Sequence, residues 1–196
     1  FILGRNPEIS IAELEAVLQC HAGSPPSRRV NSSGNLFLYS KELPLSPQDF
    51  LNRLGGTKEI LEIFAEKISQ SEIEKAITDF LKKIFAEAAG KCAFAVNIIP
   101  ENKKSRVLHF LLPRIKKNLR ADDLKANFMN KDFQNVSAVL AYKQKLTETG
   151  GNMSIIDIGE GKVALGFSVA LQDFEAYSRR DYGKPFRDAQ VGMLPP

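Results

Sequence analysis

Two segments in the middle of the chain place apolar side chains at the spacing of an amphipathic helix. The first begins near Ile73 and keeps its apolar stripe for more than three turns, as far as Phe85, before Gly90. Residues three and four positions apart share one face of a helix, so this face should be buried. Ser71 and Glu74 have the spacing of a capping box, which satisfies free amides of the first turn. The pattern therefore predicts a helix that begins at this box.

The second helical pattern covers about residues 105–120 and separates an apolar face from a cationic one. The apolar face consists of Leu108, Leu111, Leu112, Ile115 and Leu119, and the cationic face of Arg106, His109, Lys116, Lys117 and Arg120. Pro113 lies in the middle of this segment. Because proline removes one backbone hydrogen bond, it predicts a kink or a break at this point.

Shorter apolar runs after residue 90 predict strands between and beyond these helices. The predicted strands are residues 92–99, 125–129, 153–158 and 162–169, and a further helix is predicted over residues 137–146. The last two strands flank Gly159-Glu160-Gly161, which is typical of a hairpin turn. From residue 71 onward the order is helix, strand, helix, strand, helix, strand, strand.

The first 68 residues predict a small α+β unit of their own. Strands are expected over residues 1–4, 36–39 and 57–68, with a helix over residues 11–19 and a short helix that opens at Ser46-Pro47 and ends at Gly55-Gly56. Ser10 and Glu13 have the spacing of a capping box at the start of the first helix.

Sequence strings at both ends of the chain resemble one protein family. The closing string QDFEAYSRRDYGKPFRDAQVGMLPP is similar to the segment that joins a THUMP RNA-binding domain to the catalytic domain in tRNA guanosine-N2 methyltransferases of the archaeal and eukaryotic type. The opening string FILGRNPEISIAELEAVL resembles the start of the same proteins, and VALGFSVALQDFEAYSRRDYGKP also resembles them. The element order from residue 71 onward resembles that of a THUMP domain.

The resemblance implies a domain plan and a fold class. Residues 1–68 would form a ferredoxin-like N-terminal domain, residues 69–170 a THUMP domain, and residues 171–196 a linker toward a Rossmann-fold methyltransferase domain outside this chain. The expected class is α+β or α/β, with two mixed sheets covered by helices.

The resemblance also implies a function for the intact protein. It would transfer a methyl group from S-adenosylmethionine to the exocyclic amine of a tRNA guanosine in the cytoplasm. The present part would grip the acceptor end of the tRNA and so position the target nucleotide, while S-adenosylmethionine would belong to the catalytic domain in cis. Whether a small activating subunit takes part is left open by the resemblance.

Charge is unevenly distributed along the chain. Residues 91–150 hold 12 Lys and Arg against 5 Asp and Glu, whereas the remaining residues hold 15 against 18. Such a concentration is typical of a surface that binds a polyanion, although a solvated lysine-rich face is an equally good explanation.

Three groups of basic residues are candidates for RNA contacts, because lysine and arginine attract phosphates and arginine also stacks on bases. The groups are Lys103, Lys104, Arg106, His109, Lys116, Lys117 and Arg120; Lys143 and Lys145; and Arg179, Arg180, Lys184 and Arg187. The third group is interleaved with acidic residues, which favours internal ion pairs or docking between domains at least as much as RNA contact.

No catalytic, cofactor or metal motif is expected in this chain. The glycines at 159 and 161 do not have the spacing of a phosphate loop, and no G-x-G-x-x-G segment follows a strand. His21 and His109 are far apart in sequence, and Cys20 and Cys92 have no metal-ligand spacing, so both thiols are expected to be buried and structural. No apolar run reaches the length of a membrane helix, so no membrane contact is expected.

Two alternatives remain open. THUMP domains also accompany thiouridine and pseudouridine synthases, although the closing string is not expected in those proteins. The chain could also be a protein-interaction domain whose lysines serve only solubility. The kind of nucleic acid is itself a prediction.

Overall fold

The fold of this chain is a mixed arrangement of helices and strands, in agreement with the α+β class predicted from the sequence. The structure is a computed structural model that describes residues 1–22, 29–30, 36–86, 90–100 and 106–176. The strands are β1 (Ile2–Leu3), β2 (Arg29–Val30), β3 (Phe37–Leu38), β4 (Thr57–Ser69), β5 (Cys92–Ile99), β6 (Ala126–Phe128), β7 (Asn152–Gly159) and β8 (Lys162–Leu171). The helices are α1 (Pro7–Ala22), α2 (Pro47–Leu51), α3 (Ile73–Phe85), α4 (Val107–Ala121) and α5 (Ala138–Lys143), with a 3₁₀ turn at Lys131–Phe133.

Six strands form one mixed sheet in the order β1-β4-β8-β7-β5-β6. Strand β5 runs parallel to both β6 and β7, whereas β8 is antiparallel to β7 and to β4. The prediction of two mixed sheets is wrong for the described residues, because β4 pairs with β8 from Glu59 to Ser69 and so joins the N-terminal strands to the others. Strands β2 and β3 form only a separate two-stranded ribbon.

The hydrophobic core has two main clusters that share strands β4 and β8. In the larger, α3 and α4 pack on a sheet face that includes Leu165, and Phe64 of β4 packs against it. In the second, α1, α2 and β1 surround Ile60 and Ala170 of the same two strands. The boundary at residue 68 stays a prediction. It falls inside β4, and both β4 and β8 contribute to both clusters.

The edge of β5 is completed by two asparagine side chains where β6 ends. Asn130 accepts a hydrogen bond from the Val96 amide at 3.0 Å and donates one to the Val96 carbonyl at 2.8 Å. Asn135 does the same for Ile98, at 2.9 Å in both directions. A primary amide offers a donor and an acceptor in one plane, so each side chain replaces one residue of a missing neighbouring strand.

Helix α1 begins four residues earlier than the sequence predicted, at Pro7, and the capping box at Ser10 is wrong. Ser10 instead donates to the carbonyl of Gly56 at 2.8 Å, and the Glu13 carboxylate accepts from the amides of Gly55 and Gly56 at 2.7 and 2.9 Å. Both side chains therefore fasten α1 to the turn before β4.

The capping box predicted at the start of α3 does not form at the predicted residues either. Glu72 is the N-cap residue, and its carboxylate accepts from the amide and hydroxyl of Ser69, so Ser71 and Glu74 do not form the predicted pair. At α2 the predicted start at Ser46-Pro47 is confirmed, and the Ser46 hydroxyl accepts from the Asp49 amide, but the helix ends at Leu51 rather than at Gly55-Gly56.

The break predicted at Pro113 is absent, since α4 continues from Val107 to Ala121. Pro113 lies on the exposed side of this helix. The hydrogen bond that proline removes is the one to the carbonyl of His109, which is also exposed, so water can replace the missing donor.

Candidate functional site

Helix α4 presents most of its predicted cationic face to solvent. All five residues predicted for its apolar face are buried. Arg106, Lys117 and Arg120 are exposed, and none of them has an ion-pair partner among the residues that the structure describes. These three cations therefore remain available to a partner of opposite charge.

Two residues of the predicted cationic face also contact aromatic rings. The imidazole of His109 stacks on Phe133, with ring centroids 4.1 Å apart, and the Lys116 ammonium lies 5.6 Å from the centre of the Phe128 ring. The ring of Phe128 in turn lies 5.9 Å from that of Phe133. His109 and Lys116 therefore contact an aromatic cluster at the β6 edge, while His109 stays exposed and Lys116 is half-buried.

Sequence reasoning missed two residues on the outer face of α4. Phe110 is 64% exposed, one of the most exposed large apolar residues in the described part of the chain. Arg114 is 67% exposed and meets Glu74 of α3 only at 3.5 Å. The signal was available in the sequence, because positions 106, 110, 114 and 117 share one side of a helix.

Lys143 and Lys145 line a cleft of about 560 Å³ between α5, α2 and the end of β8. Tyr142 and Gln48 also line it, and the Gln48 amide donates to the Leu171 carbonyl at 3.2 Å. Lys145 forms an exposed ion pair with Glu148 at 3.6 Å, and such a pair contributes little to stability. The cleft combines exposed amines with a half-exposed aromatic ring, a set of groups suited to a nucleotide.

The α4 surface and the α5 cleft lie on opposite faces of the sheet. On β5, Phe94 and Val96 belong to the cluster under α4, whereas Ala93 and Ala95 pack with α5. Successive strand residues point to opposite faces, so the two basic surfaces look away from each other.

The remaining candidate residues lie outside the described part of the chain. They are Lys103, Lys104, Arg179, Arg180, Lys184 and Arg187. Their proposed contacts stay predictions.

The two cysteines occupy different environments. Cys20 is exposed, which is contrary to the buried position predicted for it, whereas Cys92 is half-buried and burial raises the pKa of its thiol. Within the described residues, no group of three or more acidic, histidine and cysteine side chains could hold a metal ion. No described helix is long and apolar enough to cross a membrane.

A chain of buried polar groups crosses the sheet beside these surfaces. The Val136 amide donates to Asn97, whose amide donates to Asn152 at 3.0 Å. Asn152 donates to the Glu59 carboxylate at 3.0 Å, and the Ser168 hydroxyl donates to the same oxygen. The network ends in the half-buried carboxylate of Glu59.

Glu59→Gln should stabilise the protein at neutral pH. Burial raises the pKa of Glu59 above its ordinary value of 4.5, against the opposing effect of the Ser168 hydrogen bond. The folded state therefore binds more protons than the unfolded state above pH 4.5, so stability falls as pH rises through the raised pKa. The variant lacks this loss, and its amide oxygen can still accept from Asn152 and Ser168.

The measurement is urea unfolding of both proteins between about pH 4 and pH 8, with Glu62→Gln as a control on an exposed carboxylate of the same strand. The stability curves of the wild type and Glu59→Gln should converge at the acid end and separate as pH rises. A constant difference across this range would show that burial does not raise the Glu59 pKa.

Comparison with known proteins adds no family to these observations. No protein-family model matches the chain, and no curated protein shows significant similarity to it.

Proposed function

We propose that this chain is the RNA-binding part of a tRNA guanosine-N2 methyltransferase of the THUMP-containing type. It grips the acceptor end of the tRNA and positions the target guanosine for a catalytic domain outside this chain. The observation that carries the proposal is the outer face of α4, where Arg106, Lys117 and Arg120 are exposed without an acidic partner among the described residues. Phosphates of RNA would supply the missing opposite charge.

The α5 cleft supports the same proposal. Lys143 and Lys145 reach solvent at a concave site beside Tyr142, and an aromatic ring next to amines can hold a base and its phosphate together. The acidic groups of Glu148 and Glu175 share the cleft, so its two lysines alone do not make it strongly positive. In this proposal the α4 surface supplies most of the positive charge, and the α5 cleft supplies a concave site.

The remaining parts of the proposal rest on the resemblance of the sequence to this family. S-adenosylmethionine would be bound by the methyltransferase domain in cis, and positioning of the tRNA would be the contribution of this chain to catalysis. A small activating subunit is a possible further partner of the intact protein, and the cytoplasm is its proposed location.

The test is fluorescence anisotropy of the chain with labelled, unmodified tRNA, with and without the terminal CCA, over a series of salt concentrations. Binding should weaken linearly on logarithmic scales as salt rises, and it should weaken when CCA is removed. Replacing Arg106, Lys117 and Arg120 by glutamine should reduce the salt slope by about 2–3, since each phosphate contact contributes about 0.7–0.9.

The matched control replaces Lys41, Lys58 and Lys162 by glutamine. These residues are exposed and lie outside the basic segment 91–150, and the control has the same net charge as the α4 variant. If both triple variants bind equally, the attraction is nonspecific and the α4 surface has no special role. If the chain binds tRNA no more tightly than it binds a random duplex, a protein-interaction domain is favoured instead.

A further inference from the structure

The outer face of α4 carries an exposed aromatic ring in the middle of a row of cations. Phe110 lies one helical turn after Arg106, one turn before Arg114 and two turns before Lys117. Residues at these spacings are neighbours on a helix surface, and side chains lean toward the N-terminal end of the helix. The Phe110 ring is therefore bordered by positive charge on both sides along the helix.

Phe110 differs from a single exposed apolar residue because its neighbours on the helix are cations without acidic groups between them. Residues 107–121 contain neither Asp nor Glu, so no acidic group on α4 itself neutralises the cations. Among the described residues, the one acidic contact on this face joins the exposed Arg114 to the half-buried Glu74 at 3.5 Å, and at this distance the pair is weak. A ligand phosphate can replace Glu74 as the partner of Arg114.

The chemistry of the surface matches a single-stranded nucleotide better than a protein. A base has a flat face that stacks on a phenyl ring. Its flanking phosphates are negatively charged and can pair with Arg106, Arg114 and Lys117. A protein partner of comparable affinity usually buries a contiguous apolar patch of several hundred Å². Here the apolar surface is one ring beside Val107, which is 49% exposed, and cations surround it.

We infer that Phe110 is a stacking platform for one base of single-stranded RNA, with Arg106, Arg114 and Lys117 contacting the adjacent phosphates. The inference rests on the proposed RNA-binding function and adds a second contact to it. Since α4 and the α5 cleft lie on opposite faces of the sheet, the base at Phe110 belongs to a different segment of the RNA from any nucleotide in the cleft.

The chain offers a direct reporter for this contact, because it contains no tryptophan. Phe110→Trp places a single indole at the proposed platform and keeps an aromatic face for stacking. Single-stranded RNA should quench the indole fluorescence, and the quenching should reach a plateau as the RNA concentration rises. A blunt duplex of equal charge should not quench it. Ile9→Trp is the matched control, since Ile9 is 69% exposed on helix α1, and its fluorescence should not respond.

Affinity provides the second readout. Phe110→Ala should weaken binding of tRNA about five-fold or more, as expected for loss of one base stack, and Phe110→Trp should restore it. Phe110→Leu, which keeps an apolar side chain without a ring, should behave like alanine. Circular dichroism and thermal unfolding of each variant should match the wild type, because the side chain is exposed.

The outcomes separate this inference from the function it rests on. If tRNA binds and the Arg106, Lys117 and Arg120 variant weakens it, but Phe110→Ala leaves the affinity unchanged and Phe110→Trp is not quenched, then only the stacking inference is wrong. Equal quenching by duplex and single-stranded RNA would also overturn it. Absence of RNA binding by the wild type, with a change of oligomeric state in Phe110→Ala, would overturn both and assign the ring to a protein contact.

Discussion

Asn130→Ala should lower the free energy of unfolding by about 2–5 kcal/mol. The Asn130 side chain is 4% exposed, and its amide accepts from the Val96 amide and donates to the carbonyls of Val96 and Gln134. Alanine leaves the buried backbone groups of Val96 without partners, and each such group costs about 1–3 kcal/mol. Urea unfolding followed by circular dichroism measures the loss.

Asn135→Ala is the matched control, because Asn135 makes the same pair of bonds to Ile98 from a half-buried position. Water can reach this site, so the loss should be clearly smaller than for Asn130. Equal losses for the two variants would show that burial of the β5 edge does not determine the cost.

Gly151→Ala should destabilise the protein by about 2–3 kcal/mol or more. A Cβ atom at this position would overlap the carbonyl oxygen of Ala93 on the neighbouring strand. The backbone cannot move away easily, because the Gly151 amide donates to Leu146 at 2.9 Å and its carbonyl accepts from Ala95 at 2.8 Å. Thermal and urea unfolding would show the loss.

Gly161→Ala separates steric conflict from backbone strain. Gly161 has a φ of +68°, so alanine is strained there by about 1 kcal/mol, but a Cβ would meet no atom within 4 Å. The loss at Gly161 should be smaller than at Gly151. A larger loss at Gly161 than at Gly151 would show that the close approach of Ala93 does not require glycine at position 151.

Elements with a strong apolar period were the ones that the sequence predicted well. The strand at Cys92–Ile99 has the predicted bounds, and the helices α3 and α4 and the β7-β8 hairpin differ from prediction only at their ends. Their patterns are local, and each buries a face that its own periodicity defines.

Features that depend on distant partners were not predictable in the same way. Glu13 has the residue type of a helix cap, but its partners are amides about 42 residues away in sequence. Asn130 and Asn135 are of a residue type that is common in loops, yet their side-chain amides complete the edge of β5. One sheet rather than two results from pairing of β4 with β8, about 100 residues later, which no local pattern reports.

The candidate site was predicted in part. The cations at positions 106, 117 and 120 are exposed as expected, and Lys143 and Lys145 line a cleft that the sequence did not reveal. His109 and Lys116 were grouped with them because charge was the only criterion, and their contacts with Phe133 and Phe128 were not predicted. Phe110 was missed because an apolar residue on a cationic face does not register in a count of charges.

The pairing of β8 with two neighbours limits how this chain can be divided. Strand β8 has ten residues, with β7 on one side and β4 on the other. A shortened chain that began at residue 69 would lose β4 and leave one side of β8 as an open edge. Exposed donors and acceptors along an apolar strand are a template for pairing with other molecules, so the shortened chain would tend to aggregate. The N-terminal elements thus protect a strand that contributes to the core beneath α3 and α4.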